Sequence, residues 1–199
     1  MIHIAVFGSG RGSNFKAIVD AVERGRITGA RIRLVLSNNS QAGILDLART
    51  HGIPAVHLSR KPFADEEEYV SALLDVLRAH EANFIALAGY MKRVPPPVIA
   101  VYRNRIINIH PALLPKFGGQ GMYGIHVHEA VIAAGESVSG ATVHMVDEEY
   151  DRGAIVLQKS VPVADNDTPE TLAARVLAIE HEIYPEAIRL LAQAGNPLS

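Results

Sequence analysis

The stretch IHIAVFGSGRGSNFKAIVDAVERG, residues 2–25, indicates the fold of the chain more directly than any other. Its first six residues are mostly apolar and β-branched, as in a buried strand, and Gly8 ends them. After the glycine turn, apolar residues recur at the spacing of an α-helix: Phe15, Ile18, Val19 and Val22. The segment therefore predicts a strand, a glycine turn and a helix, which is the first unit of an α/β sheet.

The same alternation of strand and helix continues along the chain. Strands are predicted at 31–37, 54–58, 84–89 and 105–110. Helices are predicted ending near His51, over 65–80, and after the prolines at 95–97. Residues 105–110 are nearly all apolar, as in a strand that is covered on both faces. We therefore predict an α/β fold with a doubly wound, mainly parallel sheet.

The C-terminal part of the chain has a different pattern of residues. PALLPKFGGQGMYGIH, residues 111–126, is a long loop rich in glycine and proline, and in a compact domain such loops usually serve function. The following segments predict a helix at 128–135, strands at 139–147 and 154–163, and a final helical segment at 168–195. Thr168 is a suitable N-cap for that last segment, and Pro185 is expected to break or kink it.

Length and composition limit the classes of protein to consider. With 199 residues and 48% apolar composition, the chain suits a single domain, 1–199, with a substantial core. A net charge of -2 without a basic cluster disfavours nucleic acid as a partner. The absence of cysteine excludes disulfides, a thiolate nucleophile and Cys-based metal sites. No apolar run approaches about 18 residues and the first residues do not resemble a signal peptide, so we expect a cytoplasmic protein without a membrane span.

The glycine turn GSGRGSN, residues 8–14, lies where backbone N–H groups and the helix dipole favour an anion. Arg11, Ser13 and Asn14 add side-chain donors, which favours a phosphoester ligand. Ser13 replaces the third glycine of the dinucleotide motif, and the second strand ends in SNN, residues 37–39, without an acidic residue. A dinucleotide cofactor is therefore not predicted. The alternative is a tight turn that only packs the helix on the strand.

A polar pair ends the apolar strand at 105–110. Asn108 and His110 are two residues apart, so they project from one face, and Pro111 stops the strand at its carboxyl end. Asp147 and Asp151 follow in an acidic loop between two predicted strands. An Asn that donates to an oxyanion, a His that transfers a proton and an Asp that supports the imidazole suit acyl transfer. No G-x-S-x-G motif is present, so the nucleophile would come from the substrate; a purely structural histidine is the alternative.

Two stretches identify a family resemblance. NIHPALLP (108–115) and SGATVHMVDEEYDRG (139–153) resemble the paired signature of the 10-formyltetrahydrofolate-dependent formyltransferases. GSGRGSN (8–14), SNN (37–39), LAGYMKRV (87–94) and EHEIYP (180–185) are similar to the members that act on glycinamide ribonucleotide in purine synthesis. The resemblance covers nearly the whole chain. It implies a Rossmann-like formyltransferase fold with additional C-terminal strands and a final helix.

The resemblance also implies roles for individual residues. The catalytic residues would be Asn108, His110 and Asp151. The ribonucleotide would be bound by Gly10, Arg11, Gly12, Ser13, Asn14 and Glu180. The folate would be bound by Met91, Lys92, Arg93, Val94, Asn108, Asp147, Glu148, Glu149, Tyr150 and Asp151. Residues 1–105 would then form the phosphate- and ribonucleotide-binding half of the domain, and 106–199 the catalytic and folate-binding half.

The implied reaction needs two small-molecule substrates and no metal. The primary amine of glycinamide ribonucleotide would attack the formyl carbon of 10-formyltetrahydrofolate, the co-substrate, to form a tetrahedral intermediate. Asn108 and protonated His110 would stabilise the oxyanion, and His110 would donate a proton to the leaving nitrogen. Asp151 would raise the pKa of His110. No nucleic acid or membrane partner is implied, and the protein is expected to be a monomer or a homodimer.

Three features depart from the family pattern. Glu66 stands where many members have a basic folate contact, a role that Lys61 could fill. Residue 177, a polar or basic substrate contact in some relatives, is Leu177. The loop at 116–128 is longer than in the best-known relatives.

Other functions are compatible with parts of the sequence. A related formyl-group enzyme, either a hydrolase that releases formate or a transferase acting on a sugar nucleotide, would share the same motif. A non-catalytic module that binds phosphoesters through residues 8–14 would use only the glycine turn. HVHE (126–129) with His144 invites a zinc site, but histidines two apart on a helix diverge, so metal binding is not predicted.

Overall fold

The computed structural model describes residues 1–195 and contains one seven-stranded sheet with helices on both faces. The strands are β1 Ile2–Phe7, β2 Ala30–Ser37, β3 Ala55–His57, β4 Phe84–Leu87, β5 Ile106–His110, β6 Val138–Met145 and β7 Ile155–Pro162. The helices are α1 Ser13–Glu23, α2 Gly43–Thr50, α3 Glu66–Ala79, α4 Pro96–Val101, α5 Ile125–Ala133 and α6 Pro169–Gln193. The predicted α/β class and the final helix are confirmed.

The strand order is β3-β2-β1-β4-β5-β6-β7. Strands β1 to β5 pair in parallel, while β6 and β7 are antiparallel to their neighbours. The chain adds β2 and β3 on one side of β1, then crosses to build β4 and β5 on the other. The order therefore switches direction between β1 and β4, and ligands of open α/β sheets bind at the carboxyl ends of strands beside such a switch.

The sheet separates two hydrophobic layers. Helices α1, α2, α5 and α6 contribute to the layer on one face, and α3 and α4 to the layer on the other. In β5, Ile107 and Ile109 point to the first layer and Ile106 to the second. Because side chains alternate along a strand, Asn108 and His110 share the second face with Ile106. The prediction that Asn108 and His110 project from the same face of the strand is therefore confirmed.

Helix α6 does not end at Pro185. The helix is continuous over Pro169–Gln193, so of the expected break or kink the break does not occur. Packing explains the continuity, because Tyr184 and Ile188 on either side of the proline are buried, and the Tyr184 hydroxyl donates to the carbonyl of Leu87, 2.9 Å away. The predicted N-cap is confirmed, since the Thr168 side chain accepts from the Thr171 amide.

The fourth strand is shorter than predicted. The fourth strand ends at Leu87 instead of residue 89, and Gly89 follows it with φ 73°. Residues 111–124, predicted as a loop, contain no helix or strand. None of the helices within residues 1–195 has the length and apolar character that crossing a membrane requires.

Candidate active site

One cavity lies beyond the carboxyl ends of β1, β4 and β5, beside the switch in strand order. Its volume is about 560 Å³, which suits a pair of small molecules. All ten residues that the sequence assigned to the folate line it: Met91, Lys92, Arg93, Val94, Asn108, Asp147, Glu148, Glu149, Tyr150 and Asp151. His110, Asn14 and Glu180 line it too, whereas Gly10, Arg11, Gly12 and Ser13 do not.

His110 is held at the carboxyl end of β5 by the loop that follows the strand. Its side chain is only 4% exposed, and its Nε2 lies 2.7 Å from the carbonyl oxygen of Phe117. A carbonyl only accepts hydrogen bonds, so Nε2 carries a hydrogen and donates it. In the neutral ring, Nδ1 is then the free base. The loop carbonyl thus determines which nitrogen of His110 is available to exchange a proton.

Asp151 lies at the centre of the polar cluster. One carboxylate oxygen, Oδ2, is 3.7 Å from Nδ1 of His110 and accepts from the Gly119 amide at 2.8 Å. The other, Oδ1, is 3.5 Å from Nε2 of His144. Asp151 has φ 56°, a left-handed conformation that costs energy for a residue other than glycine. The hydrogen bond from Gly119 supports this conformation, which brings the carboxylate close to both imidazoles. Asp147, the other acidic candidate, accepts instead from the amide of Glu149.

His144 was considered from the sequence only as a metal ligand, and its place in the cluster was missed. Its Nδ1 lies 2.8 Å from the carbonyl of Met145, so Nδ1 carries a hydrogen and Nε2 is an acceptor in the neutral ring. Nε2 is 3.1 Å from Nδ2 of Asn108, which orients the amide, and within residues 1–195 the second N–H of that amide has no hydrogen-bond partner. The antiparallel register of β5 and β6 places Asn108 opposite His144. The register depends on long-range pairing, so spacing along the sequence gives no signal for it.

Burial and the neighbouring groups act in opposite directions on the pKa of His110, and likewise on that of Asp151. Burial lowers the pKa of His110, and this outweighs the negative charge of Asp151 and the Phe117 carbonyl, which raise it. Burial also raises the pKa of Asp151, but His144, His110 and the Gly119 amide more than compensate, so the net direction is downward. Asp151 thus raises the pKa of His110, as expected from the sequence, but burial outweighs this contribution and the net direction is downward. The aspartate is ionised and the imidazole neutral at pH 7.

The opposite end of the cavity contains a buried amide and carboxyl pair. Nδ2 of Asn14 donates to Oε2 of Glu180 at 2.6 Å, and both residues are 8% exposed. Oδ1 of Asn14 is buried and, among the described residues, has no hydrogen-bond partner. Burial raises the pKa of Glu180 to about 7, although the Asn14 bond opposes the shift. An unpaired acceptor beside a poorly solvated carboxyl group is suited to hydroxyl donors of a ligand.

The glycine turn lies at the edge of the cavity. Gly12 is the N-cap of α1 with φ 86°, and it has no capping side chain. A Cβ on Gly12 would lie 2.8 Å from Cγ1 of Ile44, so both conformation and packing require glycine. The uncapped first turn of α1 leaves N–H groups for an anion. The side chain of Asn14, the second residue of α1, donates a hydrogen bond to Glu180 and lies in the cavity wall.

Replacing Glu180 with glutamine is expected to stabilise the protein at pH 8 by as much as about 3 kcal/mol. The folded pKa of about 7 lies above the ordinary 4.5, so ionisation opposes folding: the cost is absent below pH 4.5 and complete above pH 7. Urea denaturation at pH 5 and pH 8 measures it, with a much smaller gain at pH 5. Glu182→Gln, 60% exposed on the same helix, is the control. An equal gain at both pH values would contradict the buried charge.

The structure also locates the residues that depart from the family pattern and the two histidines of HVHE. Glu66 begins α3 and is not among the residues that line the cavity, whereas Leu177 is. His128 is buried in the cavity wall, while His126 is exposed and contacts Glu129, so the two rings diverge as expected for a helix. Within residues 1–195, no three His, Cys, Asp or Glu side chains are grouped closely enough to hold a metal ion.

Comparison with known proteins gives consistent findings. The family model described as formyl transferase matches residues 2–188. The chloroplastic phosphoribosylglycinamide formyltransferase of Vigna unguiculata is 46% identical over 192 residues, which are 96% of this chain and 61% of that protein. The phosphoribosylglycinamide formyltransferase of Bacillus subtilis (strain 168) is 37% identical, with 98% of this chain and 97% of that protein covered. The chain thus spans about three fifths of the plant relative and nearly all of the bacterial one.

A solved structure is similar to the fold of this chain. The crystal structure of glycinamide ribonucleotide transformylase 1 from Symbiobacterium toebii superposes with a TM-score of 0.91 at 41% identity. The superposition covers 98% of this chain and 89% of that one.

Proposed function

The chain belongs to the formyl transferase family, and from that premise we propose that it transfers the formyl group of 10-formyltetrahydrofolate to the primary amine of 5-phosphoribosylglycinamide. The products would be the N-formyl ribonucleotide and tetrahydrofolate, a step of purine synthesis. One observation carries the proposal: Asn108, His110 and Asp151 line one cavity of substrate size beside the buried Asn14 and Glu180 pair.

The two ends of the cavity suit the two substrates. Residues 91–94 and 147–151 would hold the folate at one end, and Glu180 with Asn14 would meet the ribose hydroxyls at the other. The phosphate would bind outside the cavity wall, at the uncapped start of α1 after Gly12. The amine and the formyl group would then meet between the ends, beside Asn108 and His110. Proximity of this kind is a large part of catalysis in group transfer.

With its pKa lowered by burial, His110 would be a base at the start of the reaction. As the substrate amine attacks, it loses a proton, and Nδ1 of His110 is the free nitrogen that can accept it. The carboxylate of Asp151, 3.7 Å away, would stabilise the imidazolium that results. His110 would then return the proton to the leaving nitrogen of the folate. The protonated histidine implied by the family resemblance is therefore an intermediate state in this proposal.

Asn108 would stabilise the negative oxygen of the tetrahedral intermediate. One N–H of its amide faces Nε2 of His144, which fixes the amide orientation and leaves the other N–H for the oxyanion. His144 would therefore position Asn108 without itself touching the substrate.

A single assay tests the proposal. Purified protein is incubated with 10-formyltetrahydrofolate and 5-phosphoribosylglycinamide, and both the formylated ribonucleotide and free formate are measured. Stoichiometric formylated product is expected. Formate released without the ribonucleotide would favour the hydrolase, product with a sugar-nucleotide amine alone would favour that transferase, and folate-independent phosphoester binding without turnover would favour a binding module.

Several expectations about partners stay predictions. A cytoplasmic location, the absence of nucleic acid and membrane partners, and a monomeric or homodimeric state rest on the sequence. The division into halves at residues 105 and 106 is likewise a prediction, as are the individual substrate contacts.

A further inference from the structure

Arg93 joins two segments that border the cavity but are far apart in sequence. It lies in the segment after β4, and its Nη2 donates to the carbonyl of Glu148 at 2.7 Å. Its guanidinium carbon also lies 5.4 Å from the centre of the Tyr150 ring, a cation–π distance. Both partners belong to residues 147–152, the loop between β6 and β7, which we name the acidic loop. The guanidinium thus contacts the loop by its backbone and by a side chain.

The acidic loop needs restraint because it carries Asp151 in a strained conformation. The φ of Asp151 is 56°, and such a conformation persists only where surrounding contacts enforce it. The contact between Glu149 and Asp147, and the ion pair between Arg152 and Glu149, lie within the loop. Contacts of this kind shape the loop without fixing its position over the cavity.

Contacts from elsewhere in the chain reach the acidic loop on two sides. On the inner side the Gly119 amide donates to Asp151, and on the outer side Arg93 contacts Glu148 and Tyr150. Gly119 belongs to the loop that also holds His110 through Phe117. The Gly119 contact therefore links Asp151 to the loop that also holds His110. The Arg93 contacts link the acidic loop to the segment after β4.

We propose that Arg93 is a positioning residue, which holds the acidic loop against the segment after β4 and thereby keeps Asp151 within reach of His110. The role concerns the protein before any substrate binds, and it differs from the direct folate contact that the family resemblance implies. Its effect on turnover rests on the proposed function, whereas its effect on the loop does not. The guanidinium is suited to the role because it can donate to a carbonyl and stack on a ring at once.

The first test uses the ligand-free, full-length protein. Hydrogen exchange of the amides in residues 147–152 is measured in the wild type, in Arg93→Met and in Arg152→Met. Arg93→Met is expected to accelerate exchange about tenfold, because it removes both external contacts on the outer side. Arg152→Met is the matched control, since its ion-pair contact, 3.7 Å to Glu149, lies within the loop, and no acceleration is expected. Equal exchange in Arg93→Met and the wild type would overturn the proposal.

The second test separates positioning from direct folate binding. Arg93→Met and Tyr150→Leu are each expected to lower kcat/KM for 10-formyltetrahydrofolate about tenfold, with KM for the ribonucleotide changed less than about twofold. Because Tyr150→Leu removes a contact that Arg93→Met already removes, the double variant should be no more than about twofold worse than the worse single variant. The control Arg152→Met, whose ion pair with Glu149 lies within the loop, should stay near wild type. Effects that multiply in the double variant would show independent folate contacts and reject the proposal.

The results of the two tests distinguish the role of Arg93 from the proposed function. If the wild type transferred no formyl group, the proposed function would be lost, and the exchange measurement would still decide the role of Arg93. If transfer occurred but exchange in the acidic loop were unchanged, only the role of Arg93 would be lost.

Discussion

Replacing His110 with alanine is expected to lower the turnover of formyl transfer at least about 100-fold. The substitution removes Nδ1, the base that would take the proton from the attacking amine and return it to the leaving nitrogen. Proton transfer by a positioned side chain contributes about 100- to 10,000-fold to rate, so its loss should appear mainly in kcat. Steady-state kinetics with saturating 10-formyltetrahydrofolate and ribonucleotide measures the effect.

Two further variants exclude a simple loss of structure. His110 is buried, so alanine leaves a cavity, and His110→Gln keeps a side-chain N–H for the Phe117 carbonyl without a base of suitable pKa. Both variants should show the same kinetic loss. His126→Ala alters an exposed histidine on α5 whose partner is Glu129, and it should behave as wild type. Turnover of His110→Gln within a few-fold of wild type would remove His110 from the mechanism.

Replacing Asp151 with asparagine is also expected to lower kcat at least about 100-fold. Asparagine has nearly the same volume and can still accept from the Gly119 amide, so the loop can keep its position. The variant removes the negative charge that would stabilise protonated His110 during transfer. Kinetics should show a loss in kcat with smaller changes in KM for both substrates. A variant that kept near-normal turnover would show that the carboxylate is structural.

The pH profile gives an independent check of the same charge. Since burial lowers the pKa of His110 below its ordinary 6.5, kcat/KM should fall as the pH decreases through that pKa, below the range in which Glu180, with a pKa of about 7, titrates. Asp151 contributes in the opposite direction, raising the pKa. In Asp151→Asn the acid limb should therefore move to lower pH. A shift to higher pH would contradict this role for the carboxylate.

The Glu180 prediction illustrates how a binding site can reduce stability. An 8% exposed carboxyl group with a pKa of about 7 opposes folding at neutral pH, and its amide partner Asn14 retains a buried acceptor without a partner among the described residues. Glutamine at residue 180 should therefore give a more stable protein that binds the ribonucleotide less well. Trade-offs of this kind are frequent at functional sites.

The sequence alone determined the α/β class, the strand and helix positions to within a few residues, and the common face of Asn108 and His110. These features depend on local rules, because side-chain alternation, helical spacing and glycine turns act within a few residues. Pro185 shows the complementary case. Local preference predicts a break or a kink there, and the break does not occur because the buried Tyr184 and Ile188 keep the helix continuous.

Only the tertiary structure decided which groups act on the imidazole. The pairing of β5 with β6 placed His144 beside Asn108, and the loops after these strands brought the Phe117 carbonyl to His110 and the Gly119 amide to Asp151. The direction of the His110 pKa shift likewise followed from burial by distant segments. Pairing register, burial and loop contacts depend on residues far apart in the chain, so the spacing of polar residues does not contain them. The sequence therefore identified the chemical groups, and the fold determined their protonation and their partners.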